Sequence, residues 1–198
     1  MKTRNLLLCA LFAALTAVSV FLPKVPIPGT PLMFTFQTFF VFLAGLLLQP
    51  RYALISQLVY MALGLIGLPV FMSGGGLSYV LEPSFGFVIG FAVCAFLTSL
   101  LVRKQLVLSG KTQGRAKTAA VLKAALFAAV SLIAMYVIAI IYMYLIYSLY
   151  LDKSTTLIVI AINMVVFILI DSVKYILAGL IGTAVLRRLT GLNGTNVV

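Results

Sequence analysis

The sequence predicts an all-α integral membrane protein with six transmembrane helices, both termini cytoplasmic and a ligand pocket open to the outer side. Three observations carry that expectation. Hydrophobic residues make up 64% of the 198 residues and charged ones 9%, more apolar surface than a soluble domain of this size can bury. Lys2, Arg4, Arg51, Arg103, Lys104, Lys111, Arg115, Lys117, Lys123, Arg187 and Arg188 all stand beside span ends that alternate to one side. Only Lys24 and Lys153 fall on the other, which is the positive-inside pattern. Finally, Asp171 and Lys174 lie one helical turn apart inside an apolar run. A charge in the core of a span costs about 2.5–3.5 kcal/mol, so such residues pair or line a pocket. A structural ion pair that pins the helix to its neighbours is the plainer alternative.

The net charge of +11 does not point to nucleic acid, because the basic residues are spread over span ends. Anionic lipid headgroups suffice as their partners. Cys9 and Cys94 sit in apolar runs and imply no disulfide framework. Histidine is absent and there are three acids, Glu82, Asp152 and Asp171, which leaves little for a metal site or for general acid–base chemistry. No Gly-x-x-x-x-Gly-Lys-Ser/Thr motif is present. Ser172 and Lys174, two residues apart, point to different sides of a helix, which argues against a serine–lysine hydrolase. No enzyme activity and no cofactor are expected. The whole chain, 1–198, reads as one membrane domain in the cell membrane.

Span one, 6–22, follows Lys2 and Arg4 as a signal peptide would, but its own packing face marks it as a retained helix. Ala10, Ala13, Ala14 and Ala17 form that face at three- and four-residue spacing. Such a face packs within the bundle or docks a partner subunit. Pro23, Pro26, Pro28 and Pro31 then make a stiff outer loop, a lid or wall. Span two, 32–48, carries Gln37, a buried amide that either ties helices together or faces a ligand. Pro50 and Arg51 mark a tight inner turn before span three, 52–68.

After Pro69 come Gly74, Gly75 and Gly76, which permit a shaped loop over the pocket. Span four, 84–102, has Gly86 and Gly90 at four-residue spacing for close packing. The stretch 103–117 reads as a basic cytoplasmic loop, and span five, 118–149, is long. Tyr136, Tyr142, Tyr144, Tyr147 and Tyr150 crowd its outer half as an interfacial belt, some of them facing the pocket. The 33 apolar residues from 154 to 186 would make a single helix of about 50 Å, too long for a bilayer. The expectation is therefore a short outer element, 154–165, a break near Asn163, and span six, 166–188, with Asp171 about one turn below the outer surface. The acid offers acceptors and the ammonium donors to a ligand with N–H and carbonyl or carboxylate groups. Phe34, Phe36, Phe71, Tyr79 and Phe85 are candidates for an apolar wall.

Several stretches resemble the BioY family, biotin-specific substrate-binding (S) components of energy-coupling-factor (ECF) vitamin transporters. They are Thr35-Phe-Gln-Thr-Phe39, Leu43-Ala-Gly-Leu-Leu-Leu48 with Pro50-Arg51, and Gly64-Leu-Ile-Gly-Leu-Pro-Val-Phe71 with its glycines to Gly76. Pro83, Gly86, Gly90 and Phe91 match in part, and Asp171-x-x-Lys174 matches the charged members of a Pro-Gly-Asp-x-x-Lys signature. The resemblance implies a six-helix subunit that captures biotin from outside, with a membrane-embedded coupling subunit and two cytoplasmic ATPases as partners. It implies docking through Ala10, Ala13, Ala14 and Ala17. It also implies that Asp171 accepts from ureido N–H groups while Lys174 donates to the ureido oxygen or the carboxylate. The candidate ligand-binding set is Asp171, Lys174, Gln37, Phe36, Tyr79, Ser78, Gly75, Gly76, Phe71 and Ser84.

The chain departs from the family pattern at Val166, Leu169 and Ile170, where prolines and a glycine are expected. It departs again near Ser78 and Tyr79, where an asparagine is expected, and at Glu82, which replaces a glycine. Glu82 is expected to point away from the pocket or to pair with Lys24 or Lys153. The alternatives are an S component for a biotin precursor or another vitamin and, in a different class, a membrane-integral enzyme.

Overall fold

A computed structural model describes residues 3–26, 33–111, 114–152 and 155–192. Helix α1, Thr3–Val18, contains no proline or glycine and continues through a 3₁₀ turn, Ser19–Phe21. Its buried hydroxyls are satisfied within the helix, Thr16 donating to the Phe12 carbonyl and Ser19 to that of Thr16. The next stretch is extended. Strands β1, Val25–Pro26, and β2, Met33–Phe34, pair antiparallel with Val25 opposite Phe34. Of the expected proline lid, Pro28 and Pro31 lie outside the described residues.

Because Met33 and Phe34 find backbone partners in β1, the second span is not helical from residue 32. Helix α2 is Gln37–Leu47. Helix α3, Pro50–Leu65, opens with proline at its first position, where a missing N–H costs nothing. It stops as Gly67 takes a φ of +109°.

The glycine run is a shaped loop. Gly74 and Gly76 have φ of +128° and +103°, a region that side chains rarely enter. The Gly76 N–H donates to the Gly64 carbonyl at 2.7 Å, and the Phe71 N–H to that of Gly74 at 2.9 Å. Gly75 is pressed onto the Leu68 carbonyl, leaving no room for a Cβ. A 3₁₀ segment, Leu77–Leu81, leads into α4, Phe85–Leu97.

Helix α4 passes through a π-helical segment, Thr98–Arg103, into α5, Lys104–Lys111. The expected loop 103–117 is therefore mostly helix: the stretch has no proline and simply prolongs the preceding rod. Helix α6 is Gly114–Leu149. A Cβ at Gly86 would sit 3.0 Å from the Ala139 Cα, and one at Gly90 3.0 Å from the Met135 carbonyl. The two glycines thus set a close α4–α6 crossing, as their spacing predicts.

The largest correction concerns the last third. Helix α7 runs unbroken from Leu157 to Leu192. No proline or glycine interrupts it before Gly179, and Asn163 is exposed instead of serving freed backbone groups. At 1.5 Å per residue the 36-residue helices α6 and α7 each reach about 54 Å, well beyond a ~30 Å hydrocarbon core. Among the described residues, four helical stretches are long and apolar enough to cross a membrane: Thr3–Phe21, Phe85–Ser109, Gly114–Leu149 and Leu157–Leu186. Helix α2 is apolar but shorter.

Candidate ligand site of buried charge and aromatic walls

Asp171 stands fourteen residues into α7, roughly 21 Å from its start. It and Lys174 are each 5% exposed. The Lys174 Nζ lies 2.7 Å from Asp171 Oδ1. Burying two charges is costly unless their remaining hydrogen-bonding capacity is met, and here it is met from two other helices and the segment before α2. Thr38, on α2, donates to Asp171 Oδ1 at 2.9 Å and accepts from Lys174 at 2.9 Å. Tyr136, on α6, donates to Asp171 Oδ2 at 2.7 Å. Lys174 gives its third proton to the Thr35 carbonyl at 2.6 Å, and its ammonium lies 3.8 Å from the centre of the Phe34 ring. Three helices and one strand thus converge on one carboxylate–ammonium pair.

A cavity of about 50 Å³ opens beside the pair. Of the residues expected at a ligand, Asp171, Lys174, Gln37, Tyr79 and Ser84 line it, as does Phe34 of the expected apolar wall. Gln37 also ties elements together: its amide N–H₂ donates to the Tyr60 hydroxyl at 2.6 Å and to the Val70 carbonyl at 3.2 Å. Tyr79 and Ser84 share a hydroxyl–hydroxyl bond of 2.7 Å.

The other candidates lie elsewhere. Phe71 is buried behind the wall, its ring 4.6 Å from that of Tyr79 and 5.6 Å from that of Tyr60, so it supports lining residues from the rear. Gly75 and Gly76 shape the loop backbone without reaching the cavity, and Ser78 points out as an exposed residue of the 3₁₀ segment. Phe36, just before α2, faces outward and touches Phe34 edge-on. Phe85 packs against Phe71, Tyr79 and Tyr142.

Sequence reasoning missed Thr38, Tyr60, Met72, Phe87, Val88, Phe91 and Phe167, which also line the cavity. It placed Tyr136 in an interfacial belt of which some members face the pocket, without singling it out, and the available signal was depth: Tyr136 lies six residues before Tyr142. Tyr136 is buried, whereas Tyr150 is exposed. Tyr142 donates to the Val80 carbonyl.

Glu82 is exposed and does not line the cavity. Lys24 bonds the Met72 carbonyl at 2.8 Å, and Lys153 lies outside the described residues. Of the small-residue face on α1, Ala13 and Ala17 are buried within the bundle while Ala10 and Ala14 are exposed.

A helical bundle with several bilayer-length apolar helices, packed around a small cavity that holds one buried charge pair, defines a multi-pass membrane protein with an internal candidate site. The family model described as the BioY family matches residues 1–191, and the chain belongs to that family. It is similar to a "Probable biotin transporter BioY" of Lysinibacillus sphaericus, 52% identical over 101 residues. That match covers 51% of this chain and 50% of the relative, so the chain spans about half the length of that relative. A "Biotin transporter BioY" of Rhizobium etli is 33% identical over 187 residues, covering 94% of this chain and 95% of that protein. Among solved structures, the S-component for biotin from an ECF-type ABC transporter superposes with a TM-score of 0.76 at 28% identity, covering 94% and 92% of the two chains.

Proposed function

We propose that this chain is a biotin-binding S component that mediates biotin uptake and is energised by an ECF coupling subunit and ATPases. One observation carries the reading. In a chain of the BioY family, a fully hydrogen-bonded Asp171–Lys174 pair faces an aromatic-walled cavity inside the bundle. Asp171 accepts from the ureido N–H groups. Lys174 serves the ureido oxygen or the carboxylate by exchanging the Thr35 carbonyl for the ligand, since its three protons are otherwise committed.

A 50 Å³ cavity admits only a few waters, so biotin enters by moving a wall. The Met33–Phe34 strand is the wall we assign, because a 3.4 Å contact between the Met33 N–H and the Met72 sulfur is a weak tie.

In this reading the chain is one membrane domain of six spans with both termini cytoplasmic and the pocket opening outward. Helices α2 and α3 supply the two crossings beyond the four long ones, α2 being completed by the extended residues before it. The exposed Ala10 and Ala14 serve docking to the coupling subunit, and Ala13 and Ala17 serve internal packing.

Titration calorimetry of the detergent-purified chain with biotin tests the proposal, alongside Asp171→Asn and Lys174→Ala. Submicromolar binding by the wild type, lost in both variants, is the expected result. A folded wild type that does not bind biotin overturns the ligand assignment.

A further inference from the structure

A second and larger cavity, of about 530 Å³, lies between α6, α7 and the α4–α5 rod, with Tyr175 in its lining. Its volume is on the scale of small-ligand pockets, roughly 300–1,000 Å³. It exists because the facing residues are small. Ala125, Ala128 and Ala129 on α6 oppose Gly179 on α7, and a Cβ built on Gly179 would meet nothing within 4 Å. Three residues further on, a Cβ on Gly182 would already touch Leu46 at 3.0 Å. Leu46 belongs to α2, so α7 packs closely on α2 at Gly182 while it stands open at Gly179, where Ala125, Ala128 and Ala129 of α6 line the same cavity.

The groove follows α6 from Lys117 to Leu132, roughly 22 Å, and one leaflet of hydrocarbon is about 15 Å deep. Its lining is aliphatic along most of that length, with Lys117 and Ser109 at one end. Lys104, Arg115 and Lys123 belong to the same α5–α6 corner and are exposed. None of the three acids of the chain belongs there: Glu82 precedes α4, Asp152 follows α6, and Asp171 is engaged in the site above. An apolar slot of leaflet depth, ending in uncompensated positive charge, calls for an anion carrying a hydrocarbon tail.

We infer that this groove is a binding site for one anionic glycerophospholipid, its acyl chain lying against Ala128 and Gly179 and its phosphate beside Lys117. The site is independent of the biotin reading. It would put a lipid against the face of α7 that backs Tyr175, one turn from Asp171.

The test is native mass spectrometry of the delipidated protein in detergent. It is titrated with phosphatidylglycerol and with phosphatidylcholine of identical acyl chains. The wild type is expected to form a one-to-one phosphatidylglycerol adduct with at least fivefold preference over phosphatidylcholine. Lys117→Gln should lower that preference at least threefold. Gly179→Leu fills open space in a helix, so it should fold normally while cutting adducts of both lipids at least threefold. Equal retention of the two lipids by the wild type overturns the proposal. So does a phosphatidylglycerol preference that Gly179→Leu leaves unchanged, which would place the lipid elsewhere. A wild-type dimer that Gly179→Leu dissociates, with no lipid adduct, would assign the groove to a second copy of the chain and overturn it as well.

Discussion

Helix α7 lines two cavities with opposite characters. Around Asp171 and Lys174 the space is small, about 50 Å³, and each charged atom has a named partner on α2, on α6 or at Thr35 just before α2. One to two turns further along, around Tyr175 and Gly179, the space is about 530 Å³ and is walled by alanine and aliphatic side chains. Tyr175 lines the second and not the first, its ring 4.1 Å from that of Phe42 and its hydroxyl 2.8 Å from that of Thr98. The difference teaches where precision is needed. A buried charge pair is tolerable only when its neighbours are fixed to tenths of an ångström, whereas a slot against lipid can be left unfilled by the protein because the solvent there is itself apolar.

The largest expected effect comes from breaking the polar side of this comparison. Asp171→Ala leaves the Lys174 ammonium buried without its carboxylate, which costs about 3–5 kcal/mol. Thermal unfolding should show that loss, and calorimetry a drop in biotin affinity of more than about 100-fold, some 2.7 kcal/mol. A variant with near-native stability and affinity would mean the pair is neither structural nor at the ligand.

Tyr136→Phe removes one hydrogen bond to a charged group, about 1.5–3 kcal/mol, without changing the ring. At least tenfold weaker biotin binding is expected, and an unchanged dissociation constant would reduce Tyr136 to packing. Packing contrast is the next lever. Gly86→Leu drives side-chain atoms into the backbone of α6 at Ala139, and overpacking of this kind costs about 1–3 kcal/mol. The melting temperature should fall for Gly86→Leu and hold for Gly179→Leu; equal behaviour would deny that the two interfaces differ.

Gln37→Leu has a smaller expected effect, because the Val70 carbonyl keeps the Tyr60 hydroxyl as a donor at 3.2 Å. About 1 kcal/mol, or a fivefold change in affinity, is the scale of one neutral hydrogen bond. The smallest effect is Gly179→Ala, expected to stabilise by about 0.5–1 kcal/mol through lower chain entropy and better helix propensity. Gly182→Ala should gain less, since its Cβ meets Leu46 at 3.0 Å. Denaturant unfolding in mixed micelles would read both.

Much of the site was legible in the residues because intramembrane charge is costly and therefore conspicuous. Asp171, Lys174 and the buried amide of Gln37 stand out against an apolar chain by type alone. Thr38 and Tyr136 do not: a hydroxyl in a span is ordinary, and a tyrosine in the outer half of a helix reads as an interface anchor until its rotation about the helix is known. The glycine run was legible as a shaped loop, but Gly75 and Gly76 act by admitting the Leu68 and Gly64 carbonyls, a contact that no one-dimensional pattern encodes.

Composition and the spacing of apolar runs determined on their own that this is a helical membrane protein. They also determined that one acid–base pair would dominate its interior, and that Gly86 and Gly90 would bring two helices close. These follow from local costs, of charge in hydrocarbon and of bulk at a crossing, which each residue carries with it. Tertiary structure alone decided that residues 33 and 34 are strand before α2 begins, and that the α1 alanines divide into buried and exposed pairs. It alone decided which hydroxyls reach Asp171. Each of these depends on what a distant segment presents across the bundle, and helix rotation and backbone pairing partners are set there, not by the residue itself.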